Sequence, residues 1–316
     1  MNALVRGPAR RCAVAIAVAF VAAATARALT PFVFESQTLL GSTSSLLDTF
    51  GHSVAISGDV IVVGAPFEDD GGVAAGAAYV FRRDGGLWLG EQTLLDPDGA
   101  NGDQFGTAVA VDAEVIAIGA FSDALGNASG AVHVYRFDGT SWVAEQTLLA
   151  SDGAQADTFG SALAISDDLI VVGAPFEDEL GDQAGAAYVF RYDGASWIEE
   201  QKLSASDAAA AAQFGDAVGI AGRVVVIGAL GDAEQGENAG AAYVFRRDRG
   251  VWVEEQKLLA SDGATLDRFG AAVAIAGARV LVGAFNHGES GDAAGAAYLY
   301  RRDGAVWVEE QKLLAS

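Results

Sequence analysis

The chain has 316 residues, of which 51% are hydrophobic, so it is long enough for one large domain or two ordinary ones. Its 42 acidic residues outnumber its 19 Lys and Arg residues, and the net charge of −23 excludes a broad basic surface for nucleic acid or anionic lipid. A single Cys and three His exclude a disulfide framework and leave too few ligands for a Cys/His zinc site.

Residues 1–28 have the pattern of a secretion signal. Three arginines (Arg6, Arg10 and Arg11) precede an uncharged run from Cys12 to Ala26, and small residues follow. The run is shorter than the roughly 20 residues that span a bilayer, and cleavage after Ala26 or Ala28 would follow an A-x-A sequence. We therefore predict a signal peptide and a secreted, cell-surface or periplasmic protein without membrane insertion after cleavage. A buried N-terminal helix is the alternative, and the arginine cluster disfavours it.

The rest of the chain repeats with a period of 54 to 55 residues. Phe50-Gly51 returns as Phe105-Gly106, Phe159-Gly160, Phe214-Gly215 and Phe269-Gly270. A tryptophan register contains Trp88, Trp142, Trp197, Trp252 and Trp307, and a glutamine register contains Gln37, Gln92, Gln146, Gln201, Gln256 and Gln311. We predict one domain over residues 29–316, with units at approximately 41–95, 96–149, 150–204, 205–259 and 260–314.

Each unit reads as four short strands. In the first unit these are His52 to Ser57, Val60 to Val63, Ala77 to Arg82 and Leu87 to Leu95, joined in pairs by turn residues such as Gly58-Asp59. Apolar residues alternate onto both faces of the third strand, so the sheet cannot exist alone and must stack on copies of itself. The sequence therefore predicts an all-β fold, a β-propeller of four-stranded antiparallel blades.

The text "FGHSVAISGDVIVVGAP" from Phe50 to Pro66 and "FGSALAISDDLIVVGAP" from Phe159 to Pro175 resembles the FG-GAP repeat of the integrin α-subunit propeller and its bacterial relatives. That resemblance implies calcium loops between the first two strands, with carboxylates on alternate residues. The turns here, such as Ser57-Gly58-Asp59, are too short to enclose an ion, so we predict no metal site and no cofactor. For the acidic segment 96–103 we expect a solvated turn.

The ends of the repeat array do not complement each other. Phe32 to Leu40 aligns with a fourth strand, and the chain also ends on a fourth strand, from Trp307 to Leu314. The sequence thus predicts five complete FG-GAP units plus an N-terminal orphan strand. An open or truncated propeller, with self-association through unpaired blade faces, is favoured over a closed five-blade ring.

Charge divides between the two ends of the blades. The connections between strands two and three, and between successive blades, are rich in carboxylates and contain one cation, Arg268. We predict that this acidic loop face binds the ligand, weakly attracts divalent cations, and includes Glu68, Asp69, Asp70, Asp123, Glu177, Asp178, Glu179, Asp232, Glu289 and Asp292. The hairpins at the opposite end collect most of the arginines. A purely solubilising role for the acidic loops is the alternative.

No catalytic set is predicted. His52, His133 and His287 occupy different positions in their units, so each is expected to be structural or solvated. We predict a non-enzymatic recognition or adhesion module for an extracellular protein or a cationic partner. A carbohydrate-binding propeller is the alternative, in which Trp88 and its repeats would stack on sugars instead of packing in the core. A hydrolase using carboxylates is a third reading.

Overall fold

The computed structural model describes residues 37–42, 47–123, 129–289, 291 and 293–314. All regular secondary structure in this part of the chain is β, in five sheets of four strands. The predicted signal peptide lies outside the described residues, as do residues 32–36 of the predicted orphan strand. Residues 37–40 belong to no strand.

Each sheet is an antiparallel meander in chain order, which we call a blade. The strands are, for blade 1, β1 (Ser53–Ser57), β2 (Val60–Ala65), β3 (Ala77–Asp84) and β4 (Leu87–Leu95); for blade 2, β5 (Ala108–Asp112), β6 (Val115–Ala120), β7 (Ala131–Phe137) and β8 (Trp142–Leu148); for blade 3, β9 (Ala162–Ser166), β10 (Leu169–Ala174), β11 (Ala186–Tyr192) and β12 (Trp197–Leu203); for blade 4, β13 (Phe214–Ala221), β14 (Val224–Ala229), β15 (Ala241–Asp248) and β16 (Val251–Leu258); and for blade 5, β17 (Phe269–Ala276), β18 (Arg279–Ala284), β19 (Ala296–Asp303) and β20 (Val306–Leu314).

The predicted all-β fold of four-stranded blades is confirmed, and the strands predicted in the first unit differ from the observed ones by at most two residues at an end. On β3, Tyr79 and Phe81 are buried on one face and Ala78 and Val80 on the other. A sheet with two apolar faces is stable only when both are covered, because the hydrophobic effect favours removing each face from water.

Successive blades cover each other's faces. The first strand of each blade lies against the first strand of the next, in the pairs β1–β5, β5–β9, β9–β13 and β13–β17. Between blades 1 and 2, Val62 and Val80 pack with Ile116, Ile118 and Tyr135. Similar cores lie between the other neighbouring blades.

The two motifs of the repeat meet at these interfaces. Gly64, the glycine of the first Gly-Ala-Pro, lies against the carbonyl oxygen of Gly106, the glycine of the next Phe-Gly pair. A Cβ on Gly64 would overlap that oxygen, and Gly106 itself has φ +92°, which favours glycine. The accompanying Phe105 is fully buried and packs edge-on against Tyr135. The repeating glycines therefore permit close packing of blade on blade.

The outward face of blade 5 is less well covered than the same face of the blades before it. The side chain of Leu313 is 41% exposed, whereas its counterpart Leu258 in blade 4 is 1% exposed. Self-association through open blade faces stays a prediction. Among the described residues, no helix is long and apolar enough to cross a membrane.

Candidate functional site

The acidic connections lie side by side because their backbones are hydrogen-bonded to one another. Phe105 N–H donates to the carbonyl of Ala75 at 2.8 Å, and Gly102 N–H donates to the carbonyl of Val73 at 2.9 Å. The same pairing joins the β10–β11 connection to the β12–β13 connection, where Phe214 N–H donates to Ala184. In an antiparallel meander these connections share one end of the blades. This end is the acidic loop face predicted from the sequence.

The predicted site residues fall into two groups. Four of them are buried: Glu68, Asp123, Glu177 and Asp232. Five are exposed: Asp69, Asp70, Asp178, Glu179 and Glu289. Asp292 lies outside the described residues. The acidic loop face therefore presents about half of the predicted carboxylates to a partner.

The four buried carboxylates share one register, three residues after the end of the second strand. Glu68 accepts the N–H of Asp70 at 3.0 Å, and Asp232 accepts the N–H of Glu234 at 3.0 Å. Burial raises the pKa of Glu68, although the hydrogen bond from Asp70 opposes that rise. These side chains hold the loop conformation from inside, because buried backbone N–H groups need an acceptor.

Three lysines reach the acidic loop face from the fourth strands, and the sequence analysis missed them. In blade 4, Lys257 Nζ lies 2.7 Å from Asp207, 2.8 Å from Asp232 and 2.8 Å from Glu234. Lys202 joins Asp152, Glu177 and Glu179 in the same way, and Lys312 joins Asp262 and Glu289. The expectation that Arg268 is the one cation at this end is therefore wrong, because it counted connection residues and ignored strand ends.

The ammonium groups change the protonation chemistry around them. Burial by itself lowers the pKa of Lys257, but hydrogen bonds to Asp207, Asp232 and Glu234 outweigh it and raise that pKa. Burial by itself raises the pKa of Asp207. The hydrogen bonds from Lys257 and Tyr243 outweigh burial, so the pKa of Asp207 is lowered.

The lysines are visible in sequence as Gln-Lys-Leu in units three to five, where units one and two have Gln-Thr-Leu.

Blade 2 has a different cluster at the equivalent place. His133 Nε2 lies 3.2 Å from Asp123 Oδ2 and 3.6 Å from Asp96 Oδ1, and all three side chains are almost completely buried. Thr147 stands at the lysine position and places Oγ1 3.3 Å from His133 Nδ1. We call Asp96, Asp123 and His133 the blade-2 cluster.

The expectation of a solvated turn over residues 96–103 is wrong at both ends of that segment. Asp98 is exposed, but Asp103 is buried and accepts the N–H of Ala100, while the Asp96 side chain faces His133. Burial is the main reason that the pKa values of Asp96 and Asp103 are raised. The turn is therefore packed inward by its own carboxylates.

Four of the five members of the tryptophan register belong to the core, and Trp88 in blade 1 is half-buried. Trp142, Trp197, Trp252 and Trp307 are 2–3% exposed. Each indole N–H donates to a glutamate of the preceding blade, as in Trp197 Nε1 to Glu145 Oε2 at 3.2 Å. These four side chains therefore have no free face for a sugar ring, as the core interpretation predicts.

The basic end of the blades is largely neutralised. Arg136 Nε lies 2.8 Å from Glu145, and Arg246 Nε lies 2.9 Å from Glu255. Arg302 reaches back to Glu255 of the preceding blade at 2.6 Å. Each of these guanidinium groups therefore has a carboxylate partner in its own blade or in the preceding one.

A family model described as FG-GAP repeat matches residues 34–81, 88–135, 142–190, 197–245 and 252–300. The chain belongs to the FG-GAP repeat family. From the second match onward, each segment begins at the fourth strand of one blade and ends in the third strand of the next. The FG-GAP sequence repeat therefore spans a blade interface, and the resemblance predicted from the motifs is confirmed.

Propellers built from FG-GAP repeats are typically non-catalytic interaction modules. The repeats are typical of extracellular and cell-surface proteins.

Proposed function

We propose that this FG-GAP protein is a secreted, non-enzymatic recognition or adhesion module that binds a basic surface of an extracellular protein. The binding surface is the acidic loop face, and blades 1 and 2 contribute most of it. The observation that carries this proposal is the placement of the lysines. Blades 3 to 5 each neutralise part of their carboxylates with a lysine, whereas Thr93 and Thr147 stand at those positions in blades 1 and 2.

Exposed carboxylates without an ammonium group produce a stronger negative potential. Asp69, Asp70 and Asp98 lie on the loops of this region and are exposed. Such a surface attracts a basic partner at long range and loses that attraction as salt screens the charges over about 10 Å at 0.1 M ionic strength. We therefore expect binding that is fast and salt-sensitive.

The burial of four of the five tryptophans disfavours the carbohydrate-binding alternative. A sugar face needs an accessible aromatic ring, and the Trp142, Trp197, Trp252 and Trp307 side chains are buried.

The proposal that the protein is exported is based on the N-terminal arginine cluster and the apolar run that follows it. Mass spectrometry of protein recovered outside the cytoplasm should give an N-terminus at Arg27 or Leu29, and intact Met1 in the cytosol would contradict export.

A binding screen tests the proposed function. The protein is screened against a display library of extracellular domains and against a glycan array. Any protein hit is then measured with the triple variant Asp69→Asn, Asp70→Asn, Asp98→Asn. We expect binding at least tenfold weaker than wild type at 0.1 M salt, and a smaller difference at 0.5 M.

The matched control removes the same charge from the opposite end of the blades. Asp59, Asp84 and Asp248 are exposed in the hairpins there, and their replacement by Asn should leave binding within about twofold. Equal loss of binding in both triple variants, or hits on the glycan array alone, would show that the acidic loop face is not the recognition surface.

A further inference from the structure

The geometry points to a divalent transition-metal site in the blade-2 cluster, with Asp96, Asp123 and His133 as its ligands. The three candidate ligand atoms lie within 4.8 Å of one another. This proposal is independent of partner binding and departs from the sequence-based expectation of no metal. That expectation concerned the turns between the first two strands, whereas this cluster lies at the opposite end of the blade.

Blade 2 differs from blades 3 to 5 at one position of its third strand and one position of its fourth strand. In blades 3 to 5 the third strand supplies a tyrosine and the fourth strand a lysine, and both bind the aspartate that follows the fourth strand of the preceding blade. In blade 4, Asp207 Oδ1 accepts the Tyr243 hydroxyl at 2.8 Å, and Asp207 Oδ2 accepts Lys257 Nζ at 2.7 Å. In blade 2 the tyrosine is replaced by His133 and the lysine by Thr147.

Blade 2 has Thr147 in place of the lysine and two buried carboxylates beside that position. The Asp96 side chain is 1% exposed and the Asp123 side chain 4% exposed. Burying an ionised carboxylate is costly unless a positive charge or hydrogen bonds compensate for it. A cation in the place of the lysine ammonium would restore that compensation.

The second carboxylate oxygen of Asp96 has no partner among the described residues. Asp96 Oδ1 accepts the N–H of Asp98 at 3.0 Å, but Asp96 Oδ2 is buried and accepts no hydrogen bond from the described residues. In blades 3 to 5 the corresponding contacts are made by Asp152, Asp207 and Asp262, which align with Asp98 and stand two residues further along the repeat than Asp96, and both oxygens of each are occupied by tyrosine and lysine. An unpartnered buried carboxylate oxygen is rare in folded proteins and calls for a ligand.

The distances suit a small ion. Bonds of 2.0–2.1 Å to nitrogen and oxygen in a tetrahedral arrangement place neighbouring ligand atoms about 3.3 Å apart. The observed separations from His133 Nε2 are 3.2 Å to Asp123 Oδ2 and 3.6 Å to Asp96 Oδ1, the oxygen that also accepts the N–H of Asp98. Two of the three separations are therefore close to the spacing that a small ion imposes, and all three ligand atoms lie within 4.8 Å of one another.

The chemistry of the donors selects the class of metal. One imidazole nitrogen and two carboxylates suit Zn²⁺ and its neighbours Co²⁺ and Mn²⁺. Calcium needs six to eight oxygen ligands, which this enclosed cluster does not provide. Thr147 Oγ1 beside His133 Nδ1 is the type of outer contact that orients a ligating imidazole. Thr147 stands where blades 3 to 5 have a lysine. Its presence therefore removes the ammonium group and also gives His133 a contact that orients the imidazole.

Two similar groups of side chains elsewhere are already filled. The group of Asp152, Glu177 and Glu179 surrounds Lys202, and the group of Asp262, His287 and Glu289 surrounds Lys312. These groups serve as internal references, because each has the carboxylates but keeps the ammonium.

The test measures metal stoichiometry in the full chain, expressed without a polyhistidine tag and dialysed against chelator. Zn²⁺ is titrated by calorimetry, and Co²⁺ is followed by its visible absorption. We expect one equivalent of tightly bound Zn²⁺ per chain and a Co²⁺ spectrum of low coordination number. The variant His133→Tyr, Thr147→Lys copies blades 3 to 5, and it should fold as well as wild type and bind no metal.

A converse variant protects the test against misfolding of blade 2. Ala205→Asp, Tyr243→His, Lys257→Thr places an aspartate at the register of Asp96, transplants the cluster into blade 4 beside Asp232, and should raise the stoichiometry from one to two. Asp96→Asn should weaken Zn²⁺ binding at least tenfold with the fold retained. The proposal is wrong if wild type binds no Zn²⁺. It is equally wrong if the blade-2 double variant binds as much Zn²⁺ as wild type.

Discussion

Gln92 and Trp142 exchange two hydrogen bonds across the interface between blades 1 and 2. The Gln92 side-chain amide donates from Nε2 to the Trp142 carbonyl at 2.9 Å and accepts the Trp142 N–H at 2.8 Å. The same reciprocal pair joins Gln146 to Trp197, Gln201 to Trp252 and Gln256 to Trp307. The glutamine and tryptophan registers of the sequence are therefore two halves of one contact between blades, which we call the clasp.

Breaking one clasp should destabilise the protein measurably. Gln201→Ala leaves the buried backbone N–H and carbonyl of Trp252 without their partners. We expect a loss of about 2 kcal/mol in the free energy of unfolding. Gln311→Ala is the matched control, because Gln311 occupies the same register but is exposed, and its effect should stay within about 0.5 kcal/mol. Urea denaturation of both variants measures the difference, and equal effects would contradict the role of the clasp.

The contact between the two glycine motifs gives a second prediction. A Cβ on Gly173 would overlap the carbonyl oxygen of Gly215 in the next blade, so Gly173→Ala must push blades 3 and 4 apart. We expect a loss of about 2–3 kcal/mol, seen as a clear drop in melting temperature.

Gly283 is the control for this substitution. It stands at the same register in blade 5, where the nearest atom to a new Cβ is the Ala272 side chain at 3.4 Å. Gly283→Ala should change the melting temperature little. A similar drop in both variants would mean that the cost comes from the strand itself and not from the blade interface.

The fold could be predicted from sequence because its determinants are local and repeated. The alternation of Tyr79 and Phe81 with Ala78 and Val80 is visible within one strand, and five copies of the Phe-Gly pair fix the period. Burial on both faces then requires stacking.

The details of the acidic loop face could not be predicted in the same way. Whether an acidic residue is exposed depends on groups that approach it from distant parts of the chain. Lys257 and the Tyr243 hydroxyl reach Asp232 from other strands, and Glu68 at the same register of blade 1 is also buried, whereas Asp70, two residues after Glu68, is exposed. The sequence-based prediction treated every acidic residue of these connections as accessible to a partner. It consequently overestimated the number of exposed, unneutralised carboxylates.

The lysine clusters predict a pH-dependent contribution to stability. Lys257→Met leaves Asp207 and Asp232 without their shared cation, and we expect a loss of about 1–2 kcal/mol at pH 7, since the group is partly solvated. The folded pKa of Asp207 is lowered, so its contribution exists above its ordinary pKa of about 3.9 and disappears as pH falls through the folded value. The folded pKa of Lys257 is raised, so its contribution is complete below about pH 10.

The difference between wild type and Lys257→Met should therefore be largest between about pH 5 and pH 9, and should shrink below pH 4. Thr93→Met is the control at the same register, because it removes no ammonium group and should show no such window. A stability loss in Lys257→Met that is constant from pH 3 to pH 9 would indicate lost packing instead of lost charge pairing.

Asp216 predicts the opposite pH dependence. It follows the Phe214-Gly215 pair on β13, where the other blades have His52, Thr107, Ser161 and Ala271. Burial raises the pKa of Asp216 to about 6, and the charge of Arg268 opposes the rise only in part. Because the folded state holds this proton more tightly than the unfolded chain, stability is greatest below about pH 4, falls as pH rises to about 6, and is constant above that.

Asp216→Asn removes the cost of burying the ionised carboxylate. We therefore expect the free energy of unfolding to rise by up to about 3 kcal/mol at pH 7.5 and not at all at pH 3.5. Ser161→Asn places the same amide at the same register of blade 3, and its effect should be equal at both pH values. Denaturation curves at the two pH values decide the matter, and a gain in Asp216→Asn that is as large at pH 3.5 as at pH 7.5 would assign the effect to packing.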